Sequence, residues 1–237
     1  MKSALLALLL MLSACAGEDP QAQRAAQAQQ AAANEAKAKE AATAFDKAVS
    51  EENWALARAQ ADVLLHDFPG TEAAKRVQAG YDAVKQKAEA ARETARMAAL
   101  WNYLTQSVKG GQQRSAAIYA KDNVDVDGTG ATPVRLIFRD HPSWGRSSYL
   151  VLQVGDFDCY GGCKVMVKVD DKPAKALPAS RPKTDEAIAM FIDDQRGLWR
   201  MTKEAKVISI EFPARGMGKR TAVFEVGGLD RSRMPWD

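Results

Sequence analysis

Four short stretches of the 237-residue chain carry residue types that can do chemistry. In "GDFDCYGGCKVMV", Cys159 and Cys163 are separated by three residues, two of them Gly161 and Gly162. Two sulfurs so close can be half a metal site, a redox pair or a covalent staple. A zinc site needs about four ligands. The chain offers only His66 and His141 beside these thiols, with no second cysteine pair. Both glycines can take the positive φ of a tight turn, which would let the cysteines face each other across a hairpin end.

"RDHPSWGRSS" gathers Asp140, His141 and Ser143, the residue types of a hydrolytic triad. Sequence neighbours rarely converge in triad geometry, and no Gly-x-Ser-x-Gly elbow accompanies them. Asp170 and Asp171 are a carboxylate pair, but adjacent residues at a strand end point to opposite faces, so a turn role is expected. "NVDVDGTGATPV" places Asn123, Asp125, Asp127 and Gly128 as a calcium loop would. Its twelfth position is Val134 where an acid is required, so the stretch reads as a β-turn rich in Asp and Gly. Neither "GTG" nor "GMGKR" has the spacing of a phosphate loop. No catalytic residue, metal ligand or cofactor is assigned.

The other end of the chain bears on the cysteine question. "MKSALLALLLMLSACAGEDP" opens with Lys2, an apolar run from Ala4 to Leu12, then small residues up to Cys15. The run of about nine residues is too short for the roughly 20 that cross a bilayer as a helix, and it reads as the core of an export signal. Leu12, Ser13, Ala14 and Cys15 resemble the bacterial lipobox. That resemblance implies acylation of Cys15, cleavage just before it, and a lipid anchor. Ala16 follows the cysteine where lipoproteins kept in the inner membrane typically carry Asp, which implies the periplasmic face of the outer membrane. In that oxidising compartment the remaining even pair, Cys159 and Cys163, favours a disulfide over free thiols or a redox pair.

The net charge of +3 gives no argument for nucleic acid. The basic pieces "ARGMGKR" and "DRSRMPWD" can touch anionic lipid or peptidoglycan, but are read first as solvated loops.

The expected organisation is a signal peptide over 1–14, an Ala/Gln-rich spacer over 15–40, a helical segment over 41–100 and a β domain over 101–237. The spacer has helix-forming residues but almost nothing large to bury. Phe45 and Val49 mark a first helix, with a polar break at Ser50 to Asn53. A second carries Trp54, Ala57, Ala61, Leu64, Leu65 and Phe68 at helical spacing and ends at Pro69-Gly70. Thr71 would cap a third, carrying Ala73, Val77, Tyr81, Val84 and Ala88. The stretch "ENWALARAQADVLLHDFPGTEAAKRV" resembles one tetratricopeptide-type hairpin, which implies peptide or protein binding.

Beyond Trp101, alternating runs take over. Leu136 and Phe138, Leu150 and Leu152, then Val165, Val167 and Val169 should face one side. Ile208, Ile210 and Phe212, with Ala222 and Phe224, repeat the pattern. "QRGLWRMTKE" offers one short helix. Gly155, Phe157, Cys159, Cys163, Asp170, Asp171, Gly228 and Leu229 resemble the pattern of a little-studied group of proteobacterial envelope proteins. The "lFi.d" step of that group is matched by Met190 to Asp193. The resemblance implies a fold and no activity.

The fold class expected is therefore α+β: a helical, tetratricopeptide-like segment followed by an antiparallel β-sandwich with one short helix. The function expected is a non-enzymatic envelope lipoprotein that binds or scaffolds, with the membrane and an envelope protein as partners. Trp54, Tyr81, Trp144 and Tyr160 are the candidate binding surface. The alternatives are an envelope hydrolase working through His141 or the paired aspartates, and a carrier of a small ligand or lipid.

Overall fold

A computed structural model describes residues 19–183, 188–234 and 236. Cys15 and the expected signal peptide lie outside the described residues. The chain divides into two compact units, one reaching Glu89 and the other starting at Ala90.

The first unit holds α1 (Pro20–Ser50), α2 (Trp54–Asp67) and the greater part of α3 (Glu72–Ala99). Asp19 accepts a hydrogen bond from the Gln21 N–H, and Pro20 stands at the first helical position, a usual pairing at helix starts. From Pro20 on, the spacer and the Phe45 segment are thus one continuous helix. Asn53 caps α2 through the Leu56 N–H. Thr71 caps α3 through the Ala74 N–H, and the Glu35 carboxylate accepts from the N–H groups of Glu72 and Ala73. These bonds occupy amide donors that a helix start leaves unpaired. The core is small-residue packing: Ala38, Ala42, Phe45 and Ala48 meet Ala57, Ala61 and Leu64, together with Ala73, Ala74, Val77 and Val84.

The second unit is built on β1 (Trp101–Val108), β2 (Gly111–Tyr119), β3 (Val124–Asp125), β4 (Ala131–Thr132), β5 (Arg135–His141) and β6 (Gly145–Val151). It continues with β7 (Cys163–Val169), β8 (Lys175–Ser180), β9 (Ala189–Ile192), α4 (Gln195–Met201), β10 (Ile208–Ala214) and β11 (Gly218–Phe224). Nine strands form one sheet in the order β1-β2-β5-β6-β9-β8-β7-β10-β11, and β3 pairs with β4. All the pairings are antiparallel. The fold is α+β, as the patterning predicts.

One core is fed from both halves of this sheet. Ile118, Leu136, Phe138 and Leu150 come from one half, and Val167, Ile210, Ala222 and Phe224 from the other. The Lys121 N–H, just past β2, donates to the Val223 carbonyl of β11 at 2.7 Å. The sheet therefore folds over on itself, and the layers of the sandwich are halves of one sheet. Phe138, Phe157, Phe212 and Phe224 fill the interior. Phe138, Trp199 and Trp236 pack with ring centroids 4.9 to 5.6 Å apart.

One expectation about neighbours is corrected. Strands β6 and β7 do not pair across the Gly-Gly turn. Instead β9 pairs with β6 through Ser148 and Ile192, and β8 with β7 through Cys163 and Ala179. Segment 156–158 lies instead along the end of β10, with Asp158 N–H donating to Pro213 O and Arg215 N–H to Asp156 O.

Candidate anion-binding surface

Each reactive-looking cluster resolves into a specific local structure. Cys159 and Cys163 form a disulfide. The turn between them closes through the Gly162 N–H and the Cys159 carbonyl. Gly162 has a φ of +86°, so the positive φ expected at both glycines is taken by this one. The bridge ties the segment alongside β10 to the first residue of β7.

His141 ends β5 and is buried; its Nδ1 accepts from the N–H groups of Ser143 and Trp144, at 3.1 and 3.3 Å. That nitrogen caps the β5–β6 turn, and the Trp144 indole stacks on the imidazole at 3.9 Å. Ser143 Oγ donates instead to the Lys109 carbonyl, at 3.5 Å. Asp170, with φ +48°, accepts from the N–H groups of Lys206 and Val207 and fastens the end of β7 to the start of β10. Asp125 accepts from Asp127 N–H and Gly128 N–H; Asp127 accepts from the Thr129 hydroxyl and N–H, which holds its carboxyl below the usual range. Those are turn bonds, and Val134 is in the core.

Each of the four expected surface aromatics has its own local setting. Trp54 starts α2 with Lys87 Nζ 4.0 Å above its ring. Tyr81 on α3 donates to Asp62 and lines a shallow hollow with Val63 and His66, of which Trp54 is no part. Trp144 is 71% exposed at the β5–β6 turn. Tyr160 belongs to the disulfide turn, where its hydroxyl donates to Asp156 and its ring lies 5.3 Å from the Arg181 guanidinium.

A group of cations, most of them without an ion pair among the described residues, surrounds α4. Asp194 caps this helix through the Gly197 N–H at 2.9 Å. A Cβ at Gly197 would collide with that carboxylate and push it out of its capping position. Leu198 and Trp199 point into the core, which turns Arg196 and Arg200 outward. Like charges four apart on a helix repel, at about 0.2–0.5 kcal/mol per pair, and among the described residues neither arginine joins an ion pair.

Two hollows flank α4 and share Arg200. One, of about 480 Å³, is lined by Arg146, Arg196, Arg200, Trp199 and Trp236. Arg146 is steered there by a 2.9 Å bond to the Trp236 carbonyl and by Asp140 at 3.9 Å. Trp199 is held from its other neighbour by Arg231, whose guanidinium stacks 4.2 Å from the ring. The indole N–H of Trp236 is buried with no acceptor among the described residues. The second hollow, of about 400 Å³, has a floor of Val167, Val169, Met201 and Ala205, with Pro173 at its exposed edge. Its rim carries Lys172, Lys175, Arg200 and Lys203 against Glu204.

Among the described residues, both hollows together present six cations to one acid. Among the described residues, the ion pairs of this unit involve Arg96, Arg146, Arg181, Arg215 and Lys219; Arg196, Arg200, Lys172, Lys175 and Lys203 join none. Chemically the surface can hold carboxylate or phosphate oxygens through several charge-assisted hydrogen bonds, with indole and aliphatic surface beside them.

Reading the sequence placed the helix but did not single out its arginines. The available signal was the pair Arg196 and Arg200 at helical spacing around a buried Leu-Trp.

Among the described residues no group of three or more His, Cys, Asp or Glu is placed to hold a metal ion, and no helix is long and apolar enough to cross a membrane. No family model matches the chain, and neither a curated protein nor a solved structure matches it.

Proposed function

We propose that this chain is an envelope lipoprotein, acylated at Cys15 and held at the periplasmic face of the outer membrane, whose second unit binds a partner or ligand through anionic groups. The observation that carries the binding role is the ring of cations around α4, five of which have no ion pair among the described residues. A folded protein gains nothing in stability from such a concentration of like charge, whereas an anionic ligand would meet ready donors. The hydrolase alternative has less support. His141 Nδ1 and the Asp170 carboxylate are both engaged by backbone N–H groups.

Two measurements test the reading. Labelled palmitate should enter the native chain in cells, and a Cys15→Ala form should lose both label and membrane fractionation. Purified full-length protein should be retained on phosphocellulose and elute with salt. The Arg196→Glu/Arg200→Glu form should elute well before a Lys109→Glu/Arg114→Glu control of equal charge, whose substitutions lie on exposed positions of the β1–β2 hairpin. Identical elution of the two forms would remove the α4 surface from the proposal.

A further inference from the structure

The hollow between α4 and the β7–β8 turn differs from its neighbour in having an apolar floor beneath a cationic rim. Val167 and Val169 belong to the inward row of β7, and Ala205 follows α4, so the hollow opens at one end of the sheet's packed interior. Met201 and Pro173 complete the apolar lining. Lys172 and Lys175 stand on one side, Arg200 and Lys203 on the other. The turn that carries Lys172 is fixed. Asp170 takes its positive φ and accepts from the Lys206 and Val207 N–H groups, while the Lys172 N–H donates to the Val169 carbonyl.

From this arrangement we infer that the hollow binds a single-chain anionic amphiphile: a carboxylate or phosphate head on one aliphatic tail, taken up as a monomer. The inference rests on the anion-binding reading of the α4 surface and adds the class of ligand. Charge complementarity supplies the head contact, since four cations face one acid and none of the four has an ion pair among the described residues. Concavity favours a monomer over a bilayer. At about 400 Å³ the hollow is within the roughly 300–1,000 Å³ range of small-molecule sites. A flat headgroup surface would leave the valine and methionine floor unfilled. The neighbouring hollow, rimmed by Arg146 and Arg196 with indole edges, offers anion contacts without an aliphatic floor.

The test is calorimetric titration of the full-length protein with octanoate, decanoate, dodecanoate and decyl phosphate, each below the concentration at which micelles form. Inorganic phosphate, a neutral decyl glycoside and phosphatidylglycerol vesicles are the reference probes. Affinity is expected to rise about fourfold for each methylene that is buried. Lys172→Glu/Lys203→Glu, on exposed side chains, is expected to weaken decyl phosphate at least tenfold and to leave the unfolding midpoint near that of the native chain. An affinity that does not change with chain length would overturn the inference. So would equal binding of the neutral glycoside, or binding to the vesicles without binding to the monomers. If phosphocellulose retention still depends on Arg196 and Arg200 in any of those cases, the broader anion-binding reading stands and only the amphiphile is wrong. Loss of that dependence as well would remove both.

Discussion

The Arg181 guanidinium sits 2.9 Å from the Asp156 carboxylate with its side chain only 5% exposed, while Asp156 keeps 19%. The same carboxylate accepts from the Tyr160 hydroxyl and the Phe157 N–H, and the Arg181 N–H donates to the Cys159 carbonyl. Asp156, Tyr160 and Arg181 thus form a polar knot around the disulfide turn. Losing one partner of a buried ion pair strands the other, at roughly 3–5 kcal/mol for a fully buried pair. Because Asp156 is nearer to water, the two substitutions should differ. Asp156→Asn is expected to cost about 3 kcal/mol, since it strands the buried guanidinium. Arg181→Met should cost less. Urea unfolding of both variants checks the order, and a reversed order would mean that the arginine acts chiefly through packing.

The same knot predicts an acid limit. Burial tends to raise the Asp156 pKa, but hydrogen bonds from Tyr160, Arg181 and the Phe157 N–H outweigh it, and the carboxyl is held below its ordinary value of 3.8. A depressed folded-state pKa contributes stability that is present above the unfolded value and is lost as pH falls through the folded one. Melting temperatures of the native chain should therefore drop on acidification below about pH 4. The Asp156→Asn form should be less stable near neutrality and show a shallower drop over that interval. Parallel profiles would show that other carboxylates set the acid limit.

The Cys159–Cys163 bridge closes a very small loop, for which chain entropy gives about 2 kcal/mol. The prediction is that Cys159→Ser/Cys163→Ser lowers the unfolding free energy by about that amount and leaves the far-ultraviolet circular dichroism unchanged. Alkylation under denaturing conditions should label neither cysteine until a reductant is added. Labelling without reductant would disprove the bridge directly.

Local pattern was the legible part of this chain. Helix ends at Ser50, Asn53 and Thr71 were readable because breaks and caps are made by neighbouring residues. The inward rows of β5, β6, β7, β10 and β11 were readable because alternation survives wherever one face is buried. Strand order was not, since the partners of β9 on β6 lie 38 to 44 residues away and no local signal encodes them. β1 escaped the pattern because most of its residues after Trp101 are exposed on both faces. The spacer misled in another way: it has no large side chains to bury, yet Ala38 is fully buried, because alanine lets helices approach closely. The α4 arginines were visible as residues, but that they join no ion pair among the described residues is a property of the folded surface.

Gly228 offers a test of how the chain enters its β unit. This residue closes a short 3₁₀ turn after β11, and a Cβ placed on it would run into the backbone of Met97 and Ala98 in the last turn of α3. The neighbouring Gly227 is tight against the Met97 sulfur and the Lys206 backbone, and its N–H donates to the Lys206 carbonyl. Nearby, the Arg96 guanidinium pairs with Glu225 and Glu93. Backbone cannot yield as a side-chain end can, so Gly228→Ala should cost at least about 1–3 kcal/mol through overpacking. Gly80→Ala, at a helical site with open space around the added methyl, should instead stabilise by up to about 1 kcal/mol. Thermal unfolding of the two variants side by side separates close packing from a general glycine effect. Equal small shifts would mean that the end of α3 does not press on Gly228.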